Sequence, residues 1–188
     1  MPEMTSTTDW RSGMTVEVDG VPMLVLESQH IKPGKGQAFV RARLKNLQTG
    51  AIFERTFRAG EKVPAALVER KDVQFLYEAD GQYHLMDTET YEQFAVSAET
   101  VGEQRRFLKE GMQLVVTMYK GDVVDVELPT TIEATVTETA PGVRGDTVAN
   151  VMKPAVIDTG ATVQVPLFIE RGDRIRVDTR TGDYVGRV

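Results

Sequence analysis

Apolar and polar residues alternate along most of this chain, the period-two pattern of strands with one buried face. Over 14–19, Met14, Val16 and Val18 fall on one face and Thr15, Glu17 and Asp19 on the other. The Asp19-Gly20 pair that follows tolerates the positive φ angles of a two-residue hairpin turn. Over 38–45, Ala38, Val40, Ala42 and Leu44 alternate with Phe39, Arg41, Arg43 and Lys45. Another strand over 51–58 follows the turn-like Gln48-Thr49-Gly50. Together these segments predict a small antiparallel barrel over 11–68, preceded by a flexible extension over 1–10.

The pattern restarts near Asp72. Two strands flank Asp80-Gly81, and a second hairpin turns at Lys120-Gly121-Asp122. Between them, 97–111 predicts the only helix of the chain. Ser97 is suited to cap it, Val101, Gln104 and Leu108 share a face at helical spacing, and Gly111 ends it. Pro129 marks the end of this second unit, which spans 69–130. A third unit over 131–188 holds five short strands, a Pro/Gly-rich loop over 140–155 and a closing hairpin at Thr181-Gly182. Five strands in about sixty residues fit a Greek-key barrel of the oligonucleotide-binding type. The predicted class is all-β, with three small barrels in series. Each would be about 25 Å across by compact-chain scaling, giving an elongated body.

Composition narrows the chemistry. The 188 residues contain no cysteine, which excludes disulfides, thiolate catalysis and cysteine zinc sites. Two histidines, His30 and His84, are too few for a histidine-rich metal site. No apolar run nears the roughly 18 residues of a membrane span. The first residues lack the charged and apolar regions of a secretory signal, so the expected compartment is the cytoplasm.

Charge is unevenly spread. The net charge is −6, yet residues 11–71 carry 11 Lys/Arg against 6 Asp/Glu. Residues 72–188 carry 11 against 20. A basic N-terminal third within an acidic chain suggests that one end meets a polyanion while the remainder resists sticking to it. The basic density peaks in 32–45, with Lys32, Lys35, Arg41, Arg43 and Lys45 and no acid.

Lys35 sits in the stretch KPGKG, where Pro33 restricts φ and Gly34 and Gly36 permit unusual φ, so the tip is expected to be tight and exposed. On composition alone a solvated turn is the better account of this stretch. A phosphate-binding P-loop is a poor one, because Gln37 stands where that motif needs Ser or Thr. Arg41, Arg43 and Lys45 alternate onto one strand face beside Phe39. That face suits either plain solvent exposure or a strip that follows a phosphate backbone, with an aromatic for stacking. The Arg144-Gly145-Asp146 triplet matches cell-adhesion ligands, but nothing indicates secretion. A loop of an oligonucleotide-binding barrel, with Arg144 and backbone N–H groups turned to nucleic acid, is the better account. No Ser-His-Asp order and no partnered histidine suggests catalysis.

Several stretches resemble bacterial translation elongation factor P, over nearly the whole chain. HIKPGKGQAFVRARLKNLQTG at 30–50 is similar to its first-domain loop and strand. MDTETYEQF at 86–94, KPAVIDTGATVQVPLFIERGD at 153–173 and VDTRTGDYVGRV at 177–188 resemble its later signatures. The resemblance implies an N-terminal SH3/KOW-like domain and two OB-fold barrels in an L shape like that of tRNA. It implies binding to both ribosomal subunits between the peptidyl-tRNA and exit sites, and relief of stalling at consecutive prolines. Lys35 would be the tip residue reaching toward the CCA end of the peptidyl-tRNA. Around it we expect tRNA contacts from Lys32, Gly34, Gly36, Arg41, Arg43 and Lys45. Arg144, Gly145, Asp146 and Thr147 fall in a loop that the family places near exit-site mRNA, and Tyr184 and Arg187 in a segment facing the small subunit. The family often lengthens its tip lysine, which makes a Lys35-modifying enzyme a candidate partner. The resemblance implies a monomer without cofactor, metal, membrane partner or catalytic residue. Alternatives are the elongation-factor-P-like paralogue, a single-stranded RNA-binding module acting off the ribosome and, weakest, an enzyme.

Overall fold

A computed structural model describes residues 2–142 and 151–188. Among them are sixteen strands, one short α-helix and two 3-10 segments. Packing divides the chain into two compact units, Met1–Lys71 with Val116–Asp125, and Asp72–Val115 with Val126–Val188.

In the first unit, β1 (Met4–Ser6), β2 (Thr15–Val18), β3 (Val21–Ile31), β4 (Phe39–Asn46), β5 (Ile52–Arg58) and β6 (Lys62–Pro64) build two sheets. One is β2-β3-β4-β5 and the other β1-β6, all antiparallel. Alternation works as expected: Val40, Ala42 and Leu44 are buried while Arg41 and Arg43 are exposed. Their core includes Val16, Val18, Val25 and Phe57, and the Trp10 ring meets Phe57 edge-on with centroids 4.9 Å apart. Burying rings of this size contributes on the order of 2 kcal/mol each.

The expected frayed extension over 1–10 is corrected here. Met4–Ser6 pairs with Lys62–Pro64, Trp10 is buried, and the buried Thr7 hydroxyl donates to the Arg58 carbonyl at 2.8 Å. Trp10 supplies apolar area the small core needs, and the β1–β6 pairing satisfies the backbone around it.

The central sheet is ordered β11-β10-β7-β8-β9, from β7 (Glu69–Ala79), β8 (Gln82–Asp87), β9 (Gln93–Ser97), β10 (Gln113–Tyr119) and β11 (Asp122–Glu127). The helix expected over 97–111 is also corrected. α1 covers only Ala98–Val101, capped as expected by Ser97 Oγ accepting from the Thr100 N–H. A 3-10 segment, Gly102–Phe107, then takes over. At three residues per turn, Val101, Gln104 and Phe107 come into line. Phe107 therefore enters the core in place of Leu108.

The C-terminal sheet is ordered β14-β13-β12-β15-β16, from β12 (Thr131–Thr139), β13 (Met152–Ile157), β14 (Thr162–Pro166), β15 (Arg174–Asp178) and β16 (Tyr184–Arg187). Its β15–β16 turn meets the 3-10 segment. A side chain at Gly182 would stand 2.5 Å from Arg106 Nη2 and 3.6 Å from the Phe107 ring. Thr179 Oγ1 donates to the Pro129 carbonyl at 2.6 Å, and Lys109 pairs with Asp158 at 2.5 Å.

Candidate nucleic-acid interface

The tip grows out of the β3–β4 hairpin. The last paired residues are Ile31 and Phe39, which leaves a loop over 32–38. Lys32, Pro33, Gly34, Lys35, Gly36 and Gln37 are all exposed. Gly36 takes φ +106°, a region nearly closed to other residues. Gly34 does not use positive φ, so one glycine rather than two sets this turn. Among the described residues Lys35 makes no side-chain hydrogen bond or ion pair. Its ammonium is therefore available to a ligand.

Strand register decides what lies beside the tip. Cross-strand partners share a face, so the outward row of β4 continues on both neighbours. Phe39 faces Ile31 and Arg58, Arg41 faces Gln29 and Thr56, and Arg43 faces Glu27 and Glu54. Arg41 pairs with Glu54 at 3.5 Å. That exposed pair is worth at most about 1 kcal/mol, which a phosphate can displace. Arg58 lies across from Phe39 at the loop end and belongs to this surface. Alternation along 51–58 marks a strand and does not by itself single out Arg58. Its phase relative to Phe39 was the available signal, and reading that phase requires the register.

Lys45 behaves differently from Arg41 and Arg43. Its side chain is 31% exposed against 47% for Arg41, and its Nζ lies 3.7 Å from Asp125 Oδ1. In the C-terminal sheet, Tyr184 is half-buried opposite Val177, and burial pushes its hydroxyl pKa above the usual value. Arg187 is exposed and pairs with Asp173 at 3.6 Å. The structure thus gathers Lys32, Lys35, Arg41 and Arg43 of the β3–β4 hairpin with Arg58 of β5 in one sheet, while Tyr184 and Arg187 belong to the C-terminal sheet. Arg144, Gly145, Asp146 and Thr147 lie outside the described residues. Neither histidine joins this surface as a ligand: His84 stacks on Tyr77 at 4.4 Å, and His30 faces Val40 across the strands. Among the described residues no cluster of three or more His, Asp or Glu is arranged to hold a metal, and no helix is long and apolar enough to cross a membrane.

Three family models match successive segments: the elongation factor P KOW-like domain over 6–63, its OB domain over 68–126 and its C-terminal domain over 132–187. The chain belongs to the elongation factor P family. It is 56% identical to the elongation factor P of Desulforudis audaxviator (strain MP104C), over 98% of this chain and 100% of that one. It is 53% identical to that of Synechococcus sp. (strain JA-3-3Ab), with the same coverage. Among solved structures, eukaryotic translation initiation factor 5A from Methanococcus jannaschii is similar in fold, with TM-score 0.50 and 23% identity over 66% of this chain and 96% of that one. Membership makes this a translation elongation factor and implies interaction with the ribosome. The all-β class and the KOW-like and OB domains in series stand as read from the sequence.

Proposed function

We propose that this factor binds the ribosome beside the peptidyl-tRNA and promotes peptide-bond formation at consecutive-proline stalls by steadying the tRNA CCA end with Lys35. The observation that carries this reading is an exposed, unpaired amine on a short loop braced by an eight-residue β4, in a chain of this family. Proline is a poor nucleophile whose ring restricts approach, so transfer to it depends on alignment. Holding the acceptor end in place lowers the orientational part of the barrier, and about 1.4 kcal/mol of such alignment gives tenfold in rate. The factor need move no proton.

Lys32, Arg41 and Arg43 would neutralise the nearby tRNA backbone, with Gly34 and Gly36 letting it approach closely. Arg144 to Thr147 would face exit-site mRNA, and Tyr184 and Arg187 the small subunit. The factor would act as a cytoplasmic monomer with domains over 11–68, 69–130 and 131–188. A longer side chain, added to Lys35 by a modifying enzyme, would extend the same reach. The test is in vitro translation of a reporter with consecutive prolines. Wild-type protein is expected to restore synthesis and Lys35→Ala to fail. Equal rescue by both would move the activity away from the tip. Tight binding to free RNA oligomers with no effect on ribosomes would favour the off-ribosome RNA-binding alternative.

A further inference from the structure

The outward face of β4 has two environments. Near the tip, Arg41 and Arg43 are exposed. At the other end Lys45 is half-buried, and so are Thr15, Glu17 and Leu24 on the neighbouring strands. Register puts Thr15, Leu24 and Lys45 in one row, and Thr15 Oγ1 is held by the Ala66 carbonyl at 2.9 Å. Glu17 and Lys45 meet the hairpin over 116–125, which packs into the same compact unit as the first barrel although it is far away in sequence. Polar contacts among the described residues join it to the barrel. The Tyr119 hydroxyl donates to Glu17 Oε2 at 3.2 Å, and Lys45 Nζ meets Asp125 Oδ1 at 3.7 Å. Tyr119 is 6% exposed, so moving the hairpin away would uncover its ring to water and break the bond to Glu17. Asp125 is 19% exposed, where solvent screens its attraction to Lys45 less than at the Arg41–Glu54 pair.

We propose that Lys45, Asp125, Glu17 and Tyr119 form a polar clamp that holds the 116–125 hairpin against the tip-bearing sheet, and that Lys45 serves stall relief as a positioning residue through this clamp rather than as an RNA contact. The sequence groups Lys45 with Arg41 and Arg43 by alternation alone; the structure divides them by what covers each. An amine already shared with a half-buried carboxylate has less to offer a phosphate. Freeing the hairpin would loosen the base on which the tip is mounted. The effect on activity rests on the proposed function above, whereas the clamp itself does not.

The experiment is a charge swap with two readouts on the full chain. Lys45→Glu, Asp125→Lys and the double variant are compared with wild type by amide hydrogen exchange across 116–125 and by proline-reporter translation over a range of factor concentrations. Each single variant is expected to speed exchange in the hairpin and lower the maximal rate about threefold to tenfold at an unchanged half-saturating concentration. The double variant restores both. Tyr119→Phe keeps the packed ring, removes only the hydroxyl, and should speed exchange in the same amides. The clamp is overturned if Asp125→Lys and Tyr119→Phe leave exchange at the wild-type value. The positioning role is overturned if the double variant restores exchange while activity stays as low as in Lys45→Glu, or if Lys45→Glu raises the half-saturating concentration instead. Lys35→Ala in the same series separates the two readings. If it matches wild type, the stall-relief function fails and the exchange data still decide the clamp.

Discussion

The 32–38 loop and the β15–β16 turn each carry a basic residue close to a glycine, and they use it in opposite ways. In the 32–38 loop Lys35 has no partner among the described residues. In the β15–β16 turn Arg180 is 68% exposed, yet Nε and Nη2 bond Asp178 at 3.3 and 2.9 Å. The Arg180 N–H donates to the same carboxylate at 2.8 Å. The Arg180 guanidinium holds the Asp178 carboxyl below its ordinary value, and Asp178 in turn raises Arg180. The glycines differ as well. A side chain at Gly36 meets only Pro33 Cγ at 3.9 Å, whereas Gly182 is pressed against Arg106. Exposure alone therefore does not mark a binding cation. One turn offers its charge outward, and the other holds its charge within the turn.

The largest expected break in this contrast is functional. Lys35→Ala should lower factor-dependent synthesis through a proline run by tenfold or more, while Arg180→Ala should change it less than twofold. Equal losses would erase the distinction. Next comes stability. Gly182→Ala forces a side chain onto φ +79°, which costs about 1 kcal/mol, and the Arg106 side chain must also give way. Urea unfolding should show this loss; Gly36→Ala carries a backbone cost of its own at φ +106° but meets only Pro33 Cγ, so its midpoint should fall less, and it should also reduce activity. A smaller effect separates the two arginines of β4. Arg43→Ala should reduce the slope of log affinity for the ribosome against log salt by about one, and Arg41→Ala by less, because Arg41 is shared with Glu54.

The smallest effect is in acid. Asp178 has a folded pKa below its ordinary 3.8. Its contribution to stability is thus fully present above pH 3.8 and lost as pH falls through the lower folded value. Asp178→Asn should flatten this part of the acid unfolding curve. Because the Arg180 side of the pair is 68% exposed, solvent screens it and the change should be slight.

Much of this was legible in the sequence because it is local. The phase of β4 follows from alternation, and the turns at Asp19-Gly20 and Asp80-Gly81 from residue type, with both residues of each pair at positive φ. The exposure of Lys35 followed from the glycines and proline around it. What the sequence hid depends on distant partners. β1 is three residues long and pairs with β6, nearly sixty positions away. Lys45 looks identical to Arg43 until a hairpin some seventy residues later covers it. The short helix was misread because Gly102 ends α1 after four residues, and the three-residue phase beyond it selects Phe107. Arg58 needed the β4–β5 register before it could be placed beside the tip.

The central claim is that the amine at position 35 meets the reactive end of a tRNA. Placing a photo-crosslinking residue at position 35 and irradiating the factor on ribosomes stalled at a proline run tests it most directly. The account predicts that the label falls on the terminal CCA nucleotides of the peptidyl-tRNA. Label confined to ribosomal protein, or to RNA remote from that end, would contradict it.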